Sequence, residues 1–188
     1  MTLPNLITVA RFLLAPLVVW ALLNDRQGLA LAVFVVAGLS DGIDGFIARA
    51  FDQRSELGAW LDPAADKLLL VTIYLMLGWT GGVPDWLVVM IVTRDGLIVG
   101  AVVLSSLMGT ALEMKPLFVS KANTTAQIAL AALVLAQNVV IAPVPDLTRA
   151  LVVLTAFLTL SSGFAYVLTW MRVMSASPET FPHDHQQD

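Results

Sequence analysis

The chain has 188 residues, 58% of them hydrophobic and only 13% charged, with a net charge of −4 and a mean hydropathy of +0.83. A soluble domain carries about 25% charged residues, so this composition excludes a water-soluble globule and describes one integral membrane domain. Cysteine is absent, which excludes disulfides and thiol chemistry.

A helix that crosses a bilayer needs about 20 mostly apolar residues. The first such segment covers about 4–23. Arg11 interrupts it, no basic stretch precedes it and no small-residue cleavage site follows, so it reads as a retained helix and not a cleaved leader. The next segments are about 28–50, 59–79, 85–108, 119–142 and 147–172. Short turn-like connections separate several of them, among them 24–27, 81–84 and 142–145. Asp85 and Asp146 each follow a proline and precede an apolar run, as helix N-caps do. The expected fold is all-α: a polytopic membrane protein with six transmembrane helices in one domain over residues 1–174. The polar tail 175–188 carries His183 and His185 and is expected to be solvated, disordered and cytoplasmic.

Six spans put both termini on one side. Arg49, Arg54, Lys115, Lys121 and Arg172 lie near that side, against Arg26 and Arg149 on the other. The excess of Lys and Arg predicts that both termini are cytoplasmic.

The second and third segments meet in a stretch that departs from lipid-like composition, DGIDGFIARAFDQRSELGAWLDPAAD, residues 41–66. Asp41, Asp44 and Ala48 are spaced i, i+3, i+7 and share one helix face; Gly58, Asp62 and Asp66 are spaced i, i+4, i+8 and share another. A short loop makes the two helices antiparallel neighbours, so the two faces can meet near the cytoplasmic interface. Four carboxylates there repel one another and are costly to desolvate. Protonation, basic partners or a cation would relieve them, and the bases nearby are few: Arg49, Arg54 and Lys67. A hard divalent cation suits an all-oxygen site and bridges carboxylates to substrate phosphates. Gly42, Gly45 and Gly58 cost about 1 kcal/mol each within a helix, and helix packing is their ordinary use in membranes. Gly45 beside two acids, with Ala48 one turn on and Arg49 next, instead gives clearance for a flat ligand and a fork for phosphate. Carboxylates, metal, arginine and clearance together describe a nucleoside-diphosphate site.

These residues fit D-x2-D-G-x2-A-R-x8-G-x3-D-x3-D throughout, at Asp41, Asp44, Gly45, Ala48, Arg49, Gly58, Asp62 and Asp66. The pattern resembles the signature of the CDP-alcohol phosphatidyltransferases. The opening Pro4-Asn5-Leu6-Ile7-Thr8 with Arg11 is similar to that family's N-terminal start, and six spans is its usual core. The resemblance implies that Asp41, Asp44, Asp62 and Asp66 hold Mg²⁺ or Mn²⁺ as a pair of ions, with Asp66 also the catalytic general base. It implies that Gly45, Ala48 and Gly58 make room for the cytidine of CDP and that Arg49 meets the diphosphate. The implied donor is CDP-diacylglycerol, the acceptor a lipid or phosphorylated alcohol, and the by-product CMP. Membrane lipids surround such a protein, no nucleic acid is involved, and a homodimer is implied because dimers are common in the family.

The acceptor is read from the second half. Thr93-Arg94-Asp95-Gly96 lies deep in the fourth segment, where an ionisable residue is a functional candidate. Adjacent helix residues point about 100° apart, so Arg94 and Asp95 are not simply each other's partner. An interhelical ion pair is the structural alternative. Lys121, Asn123 and Thr124 start the fifth segment at the level of the aspartates and offer an amine, an amide and a hydroxyl to an acceptor; interfacial snorkelling is the alternative for Lys121. The run K-P-x3-S-K-x-N-T-x2-Q from Lys115 to Gln127, with the preceding Arg-Asp, resembles the cardiolipin synthases of the CDP-alcohol type, whose acceptor is phosphatidylglycerol. The phosphatidylglycerophosphate synthases, which use glycerol 3-phosphate, are the alternative. An ion-coupled transporter is a remote one, since it would more often spread its acids over several helices and repeat its halves.

Overall fold

The computed structural model describes the backbone of residues 3–51, 56–107, 118–137 and 139–175, and side chains within 12–40, 65–101, 103–104, 118–137 and 139–171. Among these residues there are six helices and no strand: α1 Leu3–Leu23, α2 Gln27–Phe51, α3 Glu56–Trp79, α4 Asp85–Leu107, α5 Phe118–Gln137 and α6 Pro145–Ser175. The polar tail beyond Ser175 and the loop bearing Lys115 lie outside the described residues.

The turns show why the helices stop where they do. At the end of α1 the Arg26 N–H donates to Ala21 O at 2.8 Å and the Asp25 N–H to Leu22 O at 3.3 Å. This is a Schellman closure, and Asp25 occupies its left-handed position with φ 55°. Gly81, with φ 74°, does the same after α3, where the Gly82 N–H donates to Leu77 O at 2.7 Å. Glycine adopts that conformation without the Cβ penalty that aspartate meets. Asp25→Gly should therefore raise thermal stability, by up to about 1 kcal/mol, when unfolding is followed by circular dichroism in detergent.

Asp85 falls one step, and Asp146 two steps, inside the cap positions expected of them. The Val88 N–H donates to Pro84 O and the Thr148 N–H to Val144 O, so Pro84 and Val144 are the caps and the aspartates sit in the first turns. Their charge still faces the positive end of the helix dipole. Helix α5 ends at Gln137 and not near 142. The Gln137 side chain takes over the end: its Nε2 donates to Thr148 Oγ1 at 2.8 Å, and its Oε1 accepts the Val144 N–H at 3.4 Å.

In the bundle α1 packs on α2 and α3, α6 packs on α5 and α4, and α5 also touches α2 and α3. The expected direct pairing of α2 with α3 is not seen among the described residues, where α1 and α5 lie against both. Small buried residues, Ala15, Ala21, Ala30, Ala37 and Ala131, bring the helix axes close, as packing in lipid requires. Ile73, Tyr74, Leu87, Ile91, Leu130 and Leu135 fill the interior. The outside is apolar as well: Trp79, Val89, Leu97, Val153, Phe157 and Phe164 all stand exposed. Water would not tolerate such a surface, and a bilayer suits it.

Two helices among the described residues, Phe118–Gln137 and Pro145–Met171, are long and apolar enough to cross a membrane, where six were expected. Phe12–Leu23 and Gln27–Ser40 are the apolar parts of α1 and α2 whose side chains are described.

Candidate active site

The signature is divided between two helix ends joined by residues 52–55. Asp41, Asp44, Gly45, Ala48 and Arg49 lie on the last turns of α2, and Gly58, Asp62 and Asp66 on the first turns of α3. The side chains of all of these except Asp66 lie outside the described residues. Among the described residues no group of three His, Cys, Asp or Glu side chains gathers to hold a metal.

Asp66 is half-buried and lines a cavity of about 540 Å³ between α2, α3 and α5. Ala37, Gly38 and Leu39 form its α2 wall just before Asp41, and Thr124 and Ile128 face them from α5. Lys67 lines it beside Asp66. The last aspartate of the motif thus shares a chamber with one residue of the fifth-segment run, Thr124.

The other candidates fall into three environments. Lys121 is exposed. Thr124 is half-buried and donates its hydroxyl to Ser120 O at 3.2 Å. Asn123 is fully buried; its Oδ1 accepts from Thr159 Oγ1 at 2.9 Å, and its Nδ2 has no hydrogen-bond partner. Arg94 is 6% exposed and heavily engaged. Its Nε donates to Ser162 Oγ at 3.2 Å and its Nη2 to Ser120 Oγ at 2.6 Å and to Ser162 Oγ. Its guanidinium lies 5.6 Å from the Tyr166 ring centre.

Arg94 and Asp95 do pair, with Nη1 2.8 Å from Oδ1. An arginine side chain is long enough to reach round the 100° between neighbouring positions. Neither is confined to the other, because the same Asp95 Oδ1 also takes Lys67 Nζ from α3 at 2.6 Å.

These contacts belong to a polar seam that the motif spacing did not reveal. Thr155, Thr159 and Ser162 lie on one face of α6 at i, i+4, i+7, Asn123 and Gln127 on one face of α5, and all five are buried. Tyr74 ties α3 to it by donating its hydroxyl to Gln127 O at 2.9 Å. The hydroxyl spacing in α6 is the signal that would have found it. Lys67 carried no such signal, since its partner lies on another helix.

The sequence profile of the CDP-alcohol phosphatidyltransferases matches residues 1–176. The chain belongs to this family. Similar proteins include the cardiolipin synthases (CMP-forming) of Homo sapiens and Rattus norvegicus, each 36% identical over 182 residues, a match that covers 88% of this chain. The chain spans about 60% of the length of those two relatives. The cardiolipin synthase (CMP-forming) of Streptomyces coelicolor is 36% identical over 104 residues, covering 52% of this chain and 48% of its own. The similarity to the two mammalian relatives takes in the acidic stretch and runs on into the α4–α6 half.

Proposed function

We propose that this CDP-alcohol phosphatidyltransferase is a cardiolipin synthase. It transfers the phosphatidyl group of CDP-diacylglycerol to phosphatidylglycerol and releases CMP. The observation that carries the acceptor is the extent of the similarity to cardiolipin synthases, 88% of the chain, which includes α4–α6 as well as the shared donor motif.

In this reading the acceptor hydroxyl oxygen attacks the lipid-bearing phosphorus. The bond from that phosphorus to the bridging oxygen of the diphosphate breaks, and CMP departs with the bridging oxygen. Asp66 receives the hydroxyl proton. Arg49 holds the diphosphate through a bidentate fork, and Gly45, Ala48 and Gly58 leave space for the cytidine. Asp41, Asp44, Asp62 and Asp66 would hold two divalent ions, Mg²⁺ or Mn²⁺. The all-oxygen donor set and the half-buried Asp66 at the wall of a chamber suit such ions, which when bound supply neutralising charge for the phosphates. Thr124, on the chamber wall, serves the acceptor side, with Asn123 buried near it against Thr159 and Lys121 exposed three residues before it. Arg94 contributes through Asp95, its own donors being engaged.

The domain is residues 1–174, with 175–188 a disordered cytoplasmic tail, and the protein works as a homodimer. All six helices cross the bilayer, both termini are cytoplasmic, and the active site faces the cytoplasm. The shortest helix has 20 residues, about 30 Å at 1.5 Å per residue, which matches the hydrocarbon thickness.

The deciding experiment is a purified-protein assay with CDP-diacylglycerol against a panel of alcohols, read by mass spectrometry. Phosphatidylglycerol should be the preferred acceptor and cardiolipin the product. Conversion of glycerol 3-phosphate much faster than phosphatidylglycerol would replace this function by phosphatidylglycerophosphate synthesis. CMP release separates either enzyme from a transporter.

Topology has its own test, since the chain has no native cysteine to remove. Val140, 71% exposed in the α5–α6 turn, lies on the opposite side from residue 55 in a six-span arrangement. Val140→Cys should react with an impermeant thiol reagent in intact cells, and Ser55→Cys should be shielded. The reverse pattern of labelling would invert the protein.

A further inference from the structure

Lys67 and Asp95 have no part in the eight-position motif, yet they are the charged link between the catalytic helix α3 and α4. Asp95 is buried, and one of its oxygens, Oδ1, serves both Lys67 Nζ at 2.6 Å and Arg94 Nη1 at 2.8 Å. Its Oδ2 is buried without a hydrogen-bond partner. Two cations thus share one carboxylate, so these three groups sum to +1, with the Asp66 carboxylate beside Lys67 at the cavity wall. A cation shared in this way keeps donors to spare for an anion in the cavity.

The two cations are not equivalent. Arg94 has its Nε, Nη1 and Nη2 engaged by Ser162, Asp95 and Ser120, and Tyr166 lies against its plane. It is closed off at 6% exposure. The Lys67 side chain is 30% exposed and lines the 540 Å³ cavity next to Asp66 and opposite Thr124. An ammonium has three donors, and Asp95 Oδ1 uses one. Lys67 is therefore the cation of the cluster that a molecule in the chamber can reach. Arg94, by holding Asp95, fixes the anchor to which the ammonium is tied.

We propose that Lys67 binds a substrate phosphate within the cavity, and that Asp95, braced by Arg94, is the residue that positions it. This rests on the cavity being the reaction chamber of the proposed phosphatidyl transfer. The shared chemistry is a phosphate oxygen, carried by the donor's diphosphate and by the acceptor alike. An ion pair that merely joins α3 to α4 is the competing account, and it makes different demands on affinity.

The test uses the full chain in nanodiscs. Dissociation constants for CDP-diacylglycerol, phosphatidylglycerol and glycerol 3-phosphate are measured by thermophoresis, alongside CMP release. Lys67→Met removes one charge and leaves the Arg94–Asp95 pair neutral. It should raise the dissociation constant and KM of one phosphate-bearing substrate about tenfold or more, with the other within about twofold and kcat less affected. Whichever substrate weakens identifies the phosphate as the donor's or the acceptor's. Lys67→Arg should recover most of the affinity. Asp95→Asn should weaken the same substrate, and the double variant Lys67→Met/Asp95→Asn should be no weaker than Lys67→Met alone, because Asp95 acts through Lys67. The double variant also keeps the cluster at its native net charge, so it serves if a single variant fails to fold. Unchanged affinity for all three substrates in Lys67→Met, or in the double variant, would overturn the proposal. Binding is read without turnover, so absence of CMP release would count against the proposed reaction and leave the binding role of Lys67 standing or falling on the dissociation constants alone.

Discussion

Asp41→Asn and Asp62→Asn should each nearly abolish CMP release, and the wild-type protein should release CMP only with Mg²⁺ or Mn²⁺ present. The two aspartates lie on different helices, α2 and α3, at the ends joined by residues 52–55. Acidic residues at that depth need a counter-charge, and the sequence supplies few bases around them. Asparagine keeps the size and one carbonyl oxygen but removes the negative charge that attracts a hard cation. Loss of the ion removes neutralisation of the diphosphate, a contribution worth several kcal/mol to the transition state, so a fall of about a thousandfold is expected. A pair of titrations checks this: CMP release against added Mg²⁺ for wild type, Asp41→Asn and Asp62→Asn, and the wild type in excess chelator. Full activity in chelator would remove metal from the mechanism. Activity of the variants restored by high Mg²⁺ would locate the defect in ion affinity.

The course of the chain was legible because its signals are local. Apolar runs near 20 residues, broken by Asn24–Gln27 and by Gly81–Pro84, mark the ends of α1 to α4 to within about three residues. That the motif positions fall within helices was also legible, and they lie in α2 and α3. Helix α5 was expected to run to 142 because Val139, Val140 and Ile141 are apolar. It stops at Gln137, where a side chain satisfies the groups of the next helix, a contact that hydropathy does not encode. Lys67 illustrates a deeper limit. In sequence it is one base near four acids; in the fold its partner is Asp95, 28 positions away on α4. Pairings of that kind follow from how helices are placed beside one another, and no single-helix period reports them. The α6 hydroxyls were legible in principle, as Thr155, Thr159 and Ser162 repeat on one face, but hydroxyls in an apolar helix usually bond their own backbone and so draw no notice.

Asp66→Asn should lower kcat by about 10²–10⁴-fold, the range for removing a general base, while the dissociation constant for CDP-diacylglycerol stays within a few-fold of wild type. Asp66 is the one motif aspartate whose surroundings are described, and it stands at the wall of the chamber that Thr124 and Ile128 close from α5. A base must reach the acceptor hydroxyl, and a chamber shared between the donor motif and the acceptor half is where that hydroxyl would be met. The amide of asparagine retains an oxygen for a metal ion but cannot accept a proton at neutral pH, so chemistry should suffer more than donor binding. Both proposed roles of Asp66 can be separated by titrating Mg²⁺ against the variant. If the loss persists at saturating Mg²⁺, the proton-accepting role carries it. If saturating Mg²⁺ restores kcat, Asp66 serves only as a ligand, and the base must be sought among other groups. Near-normal turnover at ordinary Mg²⁺ would remove Asp66 from the chemistry altogether.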